Sequence, residues 1–226
     1  MNGETRAREQ DVAMTLDSVV LRGTLALVPG ALGLVLFVHG SGSSRFSSRN
    51  RFVARELQSG GMSTLLFDLL STEEERTDQL TGELRFDIGL LTRRVVGVTA
   101  WLTHNVETRG LGLGYFGAST GAAAALEAAA RFSDRPDVIR AVVSRGGRPD
   151  LAMDALPLVV APTLLIVGGE DHAVIQMNRQ AFARLSAPKE MKIVPGASHL
   201  FEEPGTLEVV SGLARDWFQR YLESAS

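Results

Sequence analysis

The sequence predicts an α/β protein in which a mostly parallel, doubly wound sheet carries helices on both faces. Two features lead to this fold class. Short, unbroken apolar runs such as GLVLFV at residues 33–38 have the composition of strands buried on both faces. They alternate along the chain with longer segments whose apolar residues recur at helical spacing, as in residues 86–104. Strands that alternate with helices are typical of a parallel sheet.

The predicted elements follow one another with short connections. Strands are predicted at residues 11–17, 18–28, 33–38, 63–67, 111–116, 138–143, 164–167 and 190–194, and helices at residues 51–58, 86–104, 120–132, 176–185 and 207–222. The first two strands are expected to form an antiparallel pair at an edge of the sheet. The acidic segment 71–82 (STEEERTDQLTG) is predicted to be a surface loop. Because there is no internal repeat and no long linker, we expect one domain over residues 1–226, with a flexible N-terminus at residues 1–10.

Composition excludes several classes of function. The formal net charge is −3 and the basic residues are scattered, which argues against nucleic-acid binding. The N-terminus lacks the apolar core of a signal peptide, and no apolar run approaches the ~18 residues of a membrane span. We therefore expect a cytoplasmic protein that does not bind membranes. The absence of cysteine excludes disulfides, thiolate zinc sites and a cysteine nucleophile.

The pentapeptide Gly117-Ala118-Ser119-Thr120-Gly121 is the strongest functional signal. It follows a predicted strand and opens a predicted helix, which is the context that gives the Gly-x-Ser-x-Gly pattern its meaning. The serine must sit on a sharp turn so that its hydroxyl stands clear of the sheet, and the two glycines let strand and helix cross closely. We therefore predict that Ser119 is a nucleophile rather than part of an ordinary glycine-rich turn.

A serine nucleophile needs a base, and the chain has four histidines. In this arrangement the order along the sequence is serine, acid, histidine, so only His172 and His199 qualify. His199 lies in a loop between the last predicted strand and the last helix, at the carboxyl edge of the sheet, where open α/β folds place their sites. His172 adjoins the candidate acid and leaves no separate acid loop, so His199 is the predicted base.

Asp171 is the predicted acid. It follows the strand at 164–167 and the turn Gly168-Gly169, and its carboxylate can accept a hydrogen bond from one imidazole nitrogen. Glu170 is the adjacent competitor, and a solvated loop carboxylate is the alternative for either residue.

Backbone N–H groups are predicted to form an oxyanion hole. One belongs to Thr120, the residue after the nucleophile, and the other to Ser41 in the glycine-rich loop HGSGS. A phosphate-binding turn is the alternative for this loop, which however lacks the Gly-Lys-Ser/Thr ending of nucleotide-binding loops. Arg145 and Arg148 lie at the same predicted edge, where they can bind a substrate anion or be solvated and structurally paired. No metal-ligand pattern is present, so neither a metal nor a cofactor is expected.

Together these motifs resemble the dienelactone-hydrolase-like family of the α/β-hydrolase superfamily. HGSGSS, GASTG, VVSRGGRPD, GGEDHAV and PGASHLFEEPG occur in the family's order from about Gly33 onward. The resemblance implies an α/β-hydrolase fold, hydrolysis of carboxylic esters and no cofactor. Dienelactone hydrolase itself uses a cysteine nucleophile, whereas this chain has Ser119, so the expected activity is that of a general carboxylesterase. Related domains are in some proteins fused to phosphoribosyltransferases, for which 226 residues leave no room.

The sequence thus predicts a serine esterase that acts on a small-molecule ester, as a monomer or a homodimer. No insertion is long enough to form a large cap domain, so we expect an open site and a small acyl group. An acyltransferase or perhydrolase would use the same residues, with an alcohol or a peroxide in place of water. A non-catalytic binding protein that retains the fold is the third hypothesis, because fold alone does not fix function.

Overall fold

Residues 7–223, which the computed structural model describes, form an eight-stranded sheet with helices on both faces. The strands are β1 (Arg8–Leu16), β2 (Val19–Leu27), β3 (Leu34–Val38), β4 (Ser63–Phe67), β5 (Leu113–Ala118), β6 (Ile139–Arg145), β7 (Thr163–Gly168) and β8 (Lys189–Val194). The helices are α1 (Ser48–Ser59), α2 (Thr72–Thr81), α3 (Ile88–His104), α4 (Thr120–Ala130), α5 (His172–Arg184) and α6 (Thr206–Leu222). The strand order across the sheet is β1-β2-β4-β3-β5-β6-β7-β8.

Strand pairing confirms the predicted fold class. β1 pairs with β2, and β2 with β4, in antiparallel fashion, whereas the pairs from β4 to β8 are parallel. Every residue of β3, β4, β5 and β7 is buried, as expected for strands that are covered on both faces. Because parallel strands end at the same edge of the sheet, the loops after β3, β5, β6, β7 and β8 converge there.

Two helical layers enclose the sheet. α1 and α6 pack on one face, and α3 and α4 pack on the other. α4 has the sequence TGAAAALEAAA and is buried at every position except Glu127, because it lies between the sheet and α3. The small alanine side chains let this helix approach the sheet closely, which brings its first residue, Thr120, against the end of β5.

Residues 72–81 form helix α2, so the predicted loop at 71–82 is wrong. The Ser71 side chain accepts a hydrogen bond from the N–H of Glu74, and the Glu74 carboxylate accepts one from the N–H of Ser71, which together make a capping box. Acidic residues in the first turn interact favourably with the helix dipole, and Gly82 ends the helix with a φ of 69°. The polar composition therefore reflects a helix exposed on most of its surface.

Other boundaries differ by a few residues. β1 begins at Arg8, so residues 8–10, which were expected to be flexible, belong to the sheet, and residues 1–6 lie outside the described part of the chain. α5 begins at His172 rather than at Gln176, because its first turn already packs on β7 through buried apolar side chains.

The segment between β4 and α3 contains α2 and one 3₁₀ turn, and no large cap stands over the sheet edge in residues 7–223. In the same residues, no helix is both long enough and apolar enough to cross a membrane.

Candidate active site

Ser119 occupies a strained turn between β5 and α4. Its backbone has φ 51° and ψ −125°, a conformation that residues with a Cβ rarely adopt. A Cβ on Gly117 would lie 2.5 Å from the backbone of α4, and one on Gly121 would lie 2.3 Å from the carbonyl oxygens of both Val38 and His39. Glycine at these two positions therefore lets the strand, the helix and the loop after β3 meet at Ser119.

The hydroxyl of Ser119 takes no part in capping the helix that follows it. Serine is a favoured N-cap residue, whose side chain usually accepts a hydrogen bond from the first helical turn. Ser119 is the N-cap of α4, yet its side chain makes no such bond. Its N–H donates to the carbonyl of Arg145 at 3.3 Å, and its carbonyl accepts from the N–H of Arg148 at 3.0 Å. The turn is thus fixed through the main chain, and the hydroxyl stays free of the helix.

Asp171 and His199 form a hydrogen-bonded pair, with 2.6 Å between Oδ2 of Asp171 and Nδ1 of His199. An ionised carboxylate can only accept a hydrogen bond, so this contact assigns the proton to Nδ1 and leaves Nε2 as the basic nitrogen. The Asp171 side chain is 15% exposed and that of His199 is 39% exposed, so the acid is shielded while the imidazole can meet a reactant. Of the two adjacent acids, Asp171 reaches His199 and Glu170 remains exposed.

Asp171 also precedes a helix that it does not cap. It is the N-cap residue of α5, and its carboxylate makes no bond to the first turn, although aspartate is a favoured capping residue. The side chain turns instead toward the loop after β8. α4 and α5 therefore both begin without the side-chain cap that their N-cap residues can supply, and both side chains remain available at the sheet edge.

Close backbone packing holds the loop after β8 against the end of β7. A Cβ on Gly168 would lie 2.4 Å from the carbonyl oxygen of Ala197 and 2.5 Å from that of Ser198, so only glycine fits there. The N–H of Glu170 donates to the carbonyl of Ala197 at 3.0 Å, and the N–H of Ser198 donates to the carboxylate of Glu203 at 3.0 Å. These contacts fix the spacing between the acid and the histidine.

Two residues that hold these loops were not predicted. Glu203 accepts the hydrogen bond from Ser198, and the side chain of Ser198, together with its backbone N–H, holds the pKa of the Glu203 carboxyl below the usual range. Asn178 is buried on α5, and its amide donates to the carbonyl of Gly147 at 3.0 Å, which ties the loop after β6 to that helix. A polar residue among the apolar positions on the inner face of α5 is the sequence signal that identifies Asn178.

Ser119 and His199 flank the same peptide at the end of β6. The N–H of Ser119 bonds to the carbonyl of Arg145, and a Cβ on the next residue, Gly146, would lie 3.6 Å from Cε1 of His199. The hydrogen bonds formed by residues 7–223 do not include one between Ser119 and His199. In active sites without bound substrate this bond is often long, and it shortens when the substrate complex forms.

The loop after β3 passes beside Ser119 and touches the start of α4. A Cβ on Gly40 would lie 2.9 Å from the Cβ of Ser119. The N–H of Ser41 donates to the buried hydroxyl oxygen of Thr120 at 2.9 Å. The structure thus brings Ser41 and Thr120 together and bonds them to each other. As the first residue of α4, Thr120 has an N–H with no acceptor inside the helix.

The remaining histidines have structural surroundings. His39 is buried, with Nδ1 2.9 Å from the carbonyl of Gly40 and Nε2 accepting from the N–H of Leu69 at 3.2 Å. Burial lowers the pKa of His39, so its ring is neutral with the proton on Nδ1. His172 is exposed on α5, and His104 bonds to its own helix. Within residues 7–223, no group of three or more His, Asp or Glu side chains is placed to hold a metal ion.

The two predicted anion-binding arginines have different surroundings. Arg148 forms a two-pronged ion pair with Asp150, at 2.9 and 2.8 Å. Arg145 is buried, its Nε has no hydrogen-bond partner, and no carboxylate among residues 7–223 forms an ion pair with it. Arg148 therefore has a structural partner, whereas the charge of Arg145 is not compensated.

The strand order, the strained serine turn and the Asp171–His199 pair at the carboxyl edge together define an α/β-hydrolase fold. The chain belongs to the dienelactone hydrolase family, whose model matches residues 34–223. The matched segment contains every residue of the site described above.

Comparison with known proteins agrees with this family. The chain is similar to the crystal structure of dienelactone hydrolase from Anabaena variabilis, with 58% identity and a TM-score of 0.93 over 96% of this chain and 99% of that one. Est1E from Butyrivibrio proteoclasticus shares the fold at 14% identity, with a TM-score of 0.75 over 93% and 98% of the two chains. A relative from Mycobacterium tuberculosis strain H37Rv, named "Putative phosphoribosyl transferase", is 53% identical over 215 residues, which is 95% of this chain. The chain spans about half the length, 47%, of that relative.

Proposed function

We propose that this chain is a serine hydrolase that cleaves carboxylic esters with small acyl groups. The observation that carries the proposal is the 2.6 Å hydrogen bond between Asp171 and His199 at the sheet edge where Ser119 keeps its hydroxyl free. Membership of the dienelactone hydrolase family and the similarity to the Anabaena protein support hydrolysis. The proposal concerns the segment that this chain shares with its longer mycobacterial relative.

In the proposed mechanism, Nε2 of His199 removes the hydroxyl proton of Ser119 as Oγ attacks the ester carbonyl carbon. Asp171 keeps Nδ1–H oriented and stabilises the imidazolium that forms. The imidazolium then gives its proton to the alcohol oxygen as the carbon–oxygen bond breaks, which leaves an acyl-enzyme. Water attacks the acyl-enzyme with the same help from His199, and the carboxylic acid and free Ser119 are released.

The developing oxyanion is expected to accept hydrogen bonds from the N–H groups of Thr120 and Ser41. The Ser41 N–H already donates to the Thr120 hydroxyl, so this contact holds the loop after β3 beside Ser119 before a substrate arrives. A donor that is fixed in advance needs no reorganisation when charge develops. The oxyanion then shares the Ser41 N–H with the Thr120 oxygen.

The proposed small acyl group rests on the openness of the sheet edge. No large cap stands over this edge in residues 7–223, so no additional domain supplies a deep pocket for a long acyl chain.

The direct test is Ser119→Ala, with Ser133→Ala in the exposed turn after α4 as a matched control. We expect Ser119→Ala to lower kcat for acetate and butyrate esters on the order of 10⁶-fold, as for loss of a triad nucleophile, with an unchanged circular dichroism spectrum. A fluorophosphonate probe should label the wild-type chain and Ser133→Ala but not Ser119→Ala, with the label located by mass spectrometry. Activity of Ser119→Ala within tenfold of the wild type would show that Ser119 is not the nucleophile. Product analysis with added alcohol or peroxide separates hydrolysis from acyl transfer.

A further inference from the structure

Arg145 is a buried cation for which residues 7–223 supply no carboxylate partner. It is the last residue of β6 and only 7% exposed. Its Nε is enclosed and makes no hydrogen bond, and no ion pair in residues 7–223 includes its guanidinium. The aromatic ring of Phe201 has its centre 5.8 Å from the guanidinium carbon. Burial of a charge without a counter-charge is costly, so this position calls for an anion that residues 7–223 do not supply.

The charges around Arg145 do not supply the missing anion. Burial, together with the like charge of Arg49, lowers the pKa of Arg145 to about 10, so it remains a cation at neutral pH. The two carboxylates in the loop after β8 already have partners. Glu202 pairs with Arg49 at 2.7 Å, and Glu203 accepts from the N–H of Ser198 at 3.0 Å.

The position of Arg145 connects it to the candidate active site. Its carbonyl accepts the hydrogen bond from the N–H of Ser119, and it lies opposite Ala118 in the pairing of β5 with β6. The next residue, Gly146, faces the His199 ring, and Phe201 belongs to the loop that carries His199. The backbone of Arg145 therefore adjoins both the serine and the histidine, and its guanidinium lies beside Phe201 in the loop that carries the histidine.

We propose that Arg145 binds an oxyanion, a carboxylate or a phosphate group, that the substrate carries in addition to its ester. The guanidinium presents N–H donors in a planar fork that matches such groups, and a contact shielded from water is stronger than one on the surface. The substrate class is then anionic esters. This inference rests on the proposed ester hydrolysis at Ser119 for its meaning, but the anion site can be measured without it.

Two pairs of esters test the proposal and locate the anion. In the first pair the charge is on the leaving group, with 4-acetoxybenzoate against neutral 4-acetoxybenzamide. In the second it is on the acyl group, with mono-4-nitrophenyl glutarate against 4-nitrophenyl valerate, after subtraction of the uncatalysed rate. We expect the wild type to have a higher kcat/KM for the anionic member of one pair. Arg145→Gln should lower that value roughly 10- to 100-fold, as for loss of a charge-assisted contact, and change the neutral member by less than about threefold.

Three further variants serve as controls. Arg145→Lys keeps a charge without the fork and should retain part of the preference. Arg109→Gln makes the same change in net charge at an exposed site and should alter neither ester. An equal loss for anionic and neutral esters in Arg145→Gln would overturn the proposal in favour of a structural role. A selective loss in Arg148→Gln instead would overturn it in favour of the neighbouring arginine.

A binding measurement separates failure of this inference from failure of the proposed function. Calorimetric titration of Ser119→Ala with glutarate and with inorganic phosphate should show binding of one or both, which Arg145→Gln in the same background abolishes. The stronger of the two ligands identifies the carboxylate or the phosphate. If the wild type cleaves no ester but Ser119→Ala binds the anion through Arg145, the ester proposal fails and the anion site stands. If neither anion binds, the Arg145 site is excluded.

Discussion

The loops after β3 and β8 each bring a histidine to the carboxyl edge of the sheet, and the two histidines have opposite surroundings. Both ring nitrogens of His39 are bonded to the backbone, at Gly40 and Leu69, and the residue is buried. His199 bonds through Nδ1 to a carboxylate and is 39% exposed, with Nε2 open. Position at the sheet edge therefore does not make a histidine a base, because a base also needs a free nitrogen that is held in a fixed orientation.

Replacing each histidine in turn tests this difference between His39 and His199 most strongly. We expect His199→Gln to lower kcat on the order of 10⁶-fold, as for loss of a triad base, with little change in Tm because the side chain is partly exposed. His39→Gln should instead lower Tm and leave most of the activity. It leaves buried backbone groups without good partners, which costs about 1–3 kcal/mol, and it should change kcat by less than about tenfold. Ester assays and thermal melts on both variants show which histidine is the base. A larger loss of kcat in His39→Gln than in His199→Gln would assign that role to His39.

Asp171 is the next residue to test, because its carboxylate fixes the orientation that distinguishes His199 from His39. Asp171→Asn should lower kcat on the order of 10⁴-fold, since the amide favours the wrong tautomer and does not stabilise an imidazolium. Glu170→Gln is the matched control, one residue away and exposed, and should change kcat by less than about threefold. Steady-state kinetics on the two variants give the answer. The opposite ranking would assign the acid to Glu170.

The smallest expected effect concerns the loop after β3, where the side chain of Thr120 holds the N–H of Ser41. Thr120→Val keeps the shape and removes the acceptor. We expect kcat to fall roughly tenfold, the value of one net hydrogen bond, and Thr120→Ser, which keeps the hydroxyl, to restore most of it. Pre-steady-state measurement of the acylation rate is the test. A Thr120→Val variant faster than the wild type would mean that threonine withholds the donor rather than positions it.

Much of the fold could be predicted, because its determinants are local. Alternating apolar runs and helical spacing locate all eight strands and five of the six helices. The missed helix, α2, has a polar composition that masks its capping signal, although Ser71 and Glu74 have the spacing of a capping box. The stability of α2 depends on its capping residues and on the acidic side chains of its first turn. A search for apolar periodicity does not detect these features.

In the site, too, local sequence identifies some residues, whereas other features depend on packing between distant segments. Ser119, Asp171 and His199 could be proposed from chain order and from the loops in which they lie. The sequence favoured Asp171 over Glu170, but the direction of the Asp171 side chain toward His199 depends on the packing of Gly168 on the loop after β8. The partners of the two arginines could not be predicted either. Asp150 lies two residues from Arg148, but the absence of a partner for Arg145 depends on every element packed around it.

The uncapped helices and the strained serine turn lower the stability of the fold. The conformation of Ser119 costs about 1–3 kcal/mol, and each missing side-chain cap costs about 1 kcal/mol. A laboratory selection for heat resistance alone would therefore favour glycine at position 119 and a capping role at position 171. The most stable sequence for this backbone would therefore differ from the actual one at the positions of the reactive side chains.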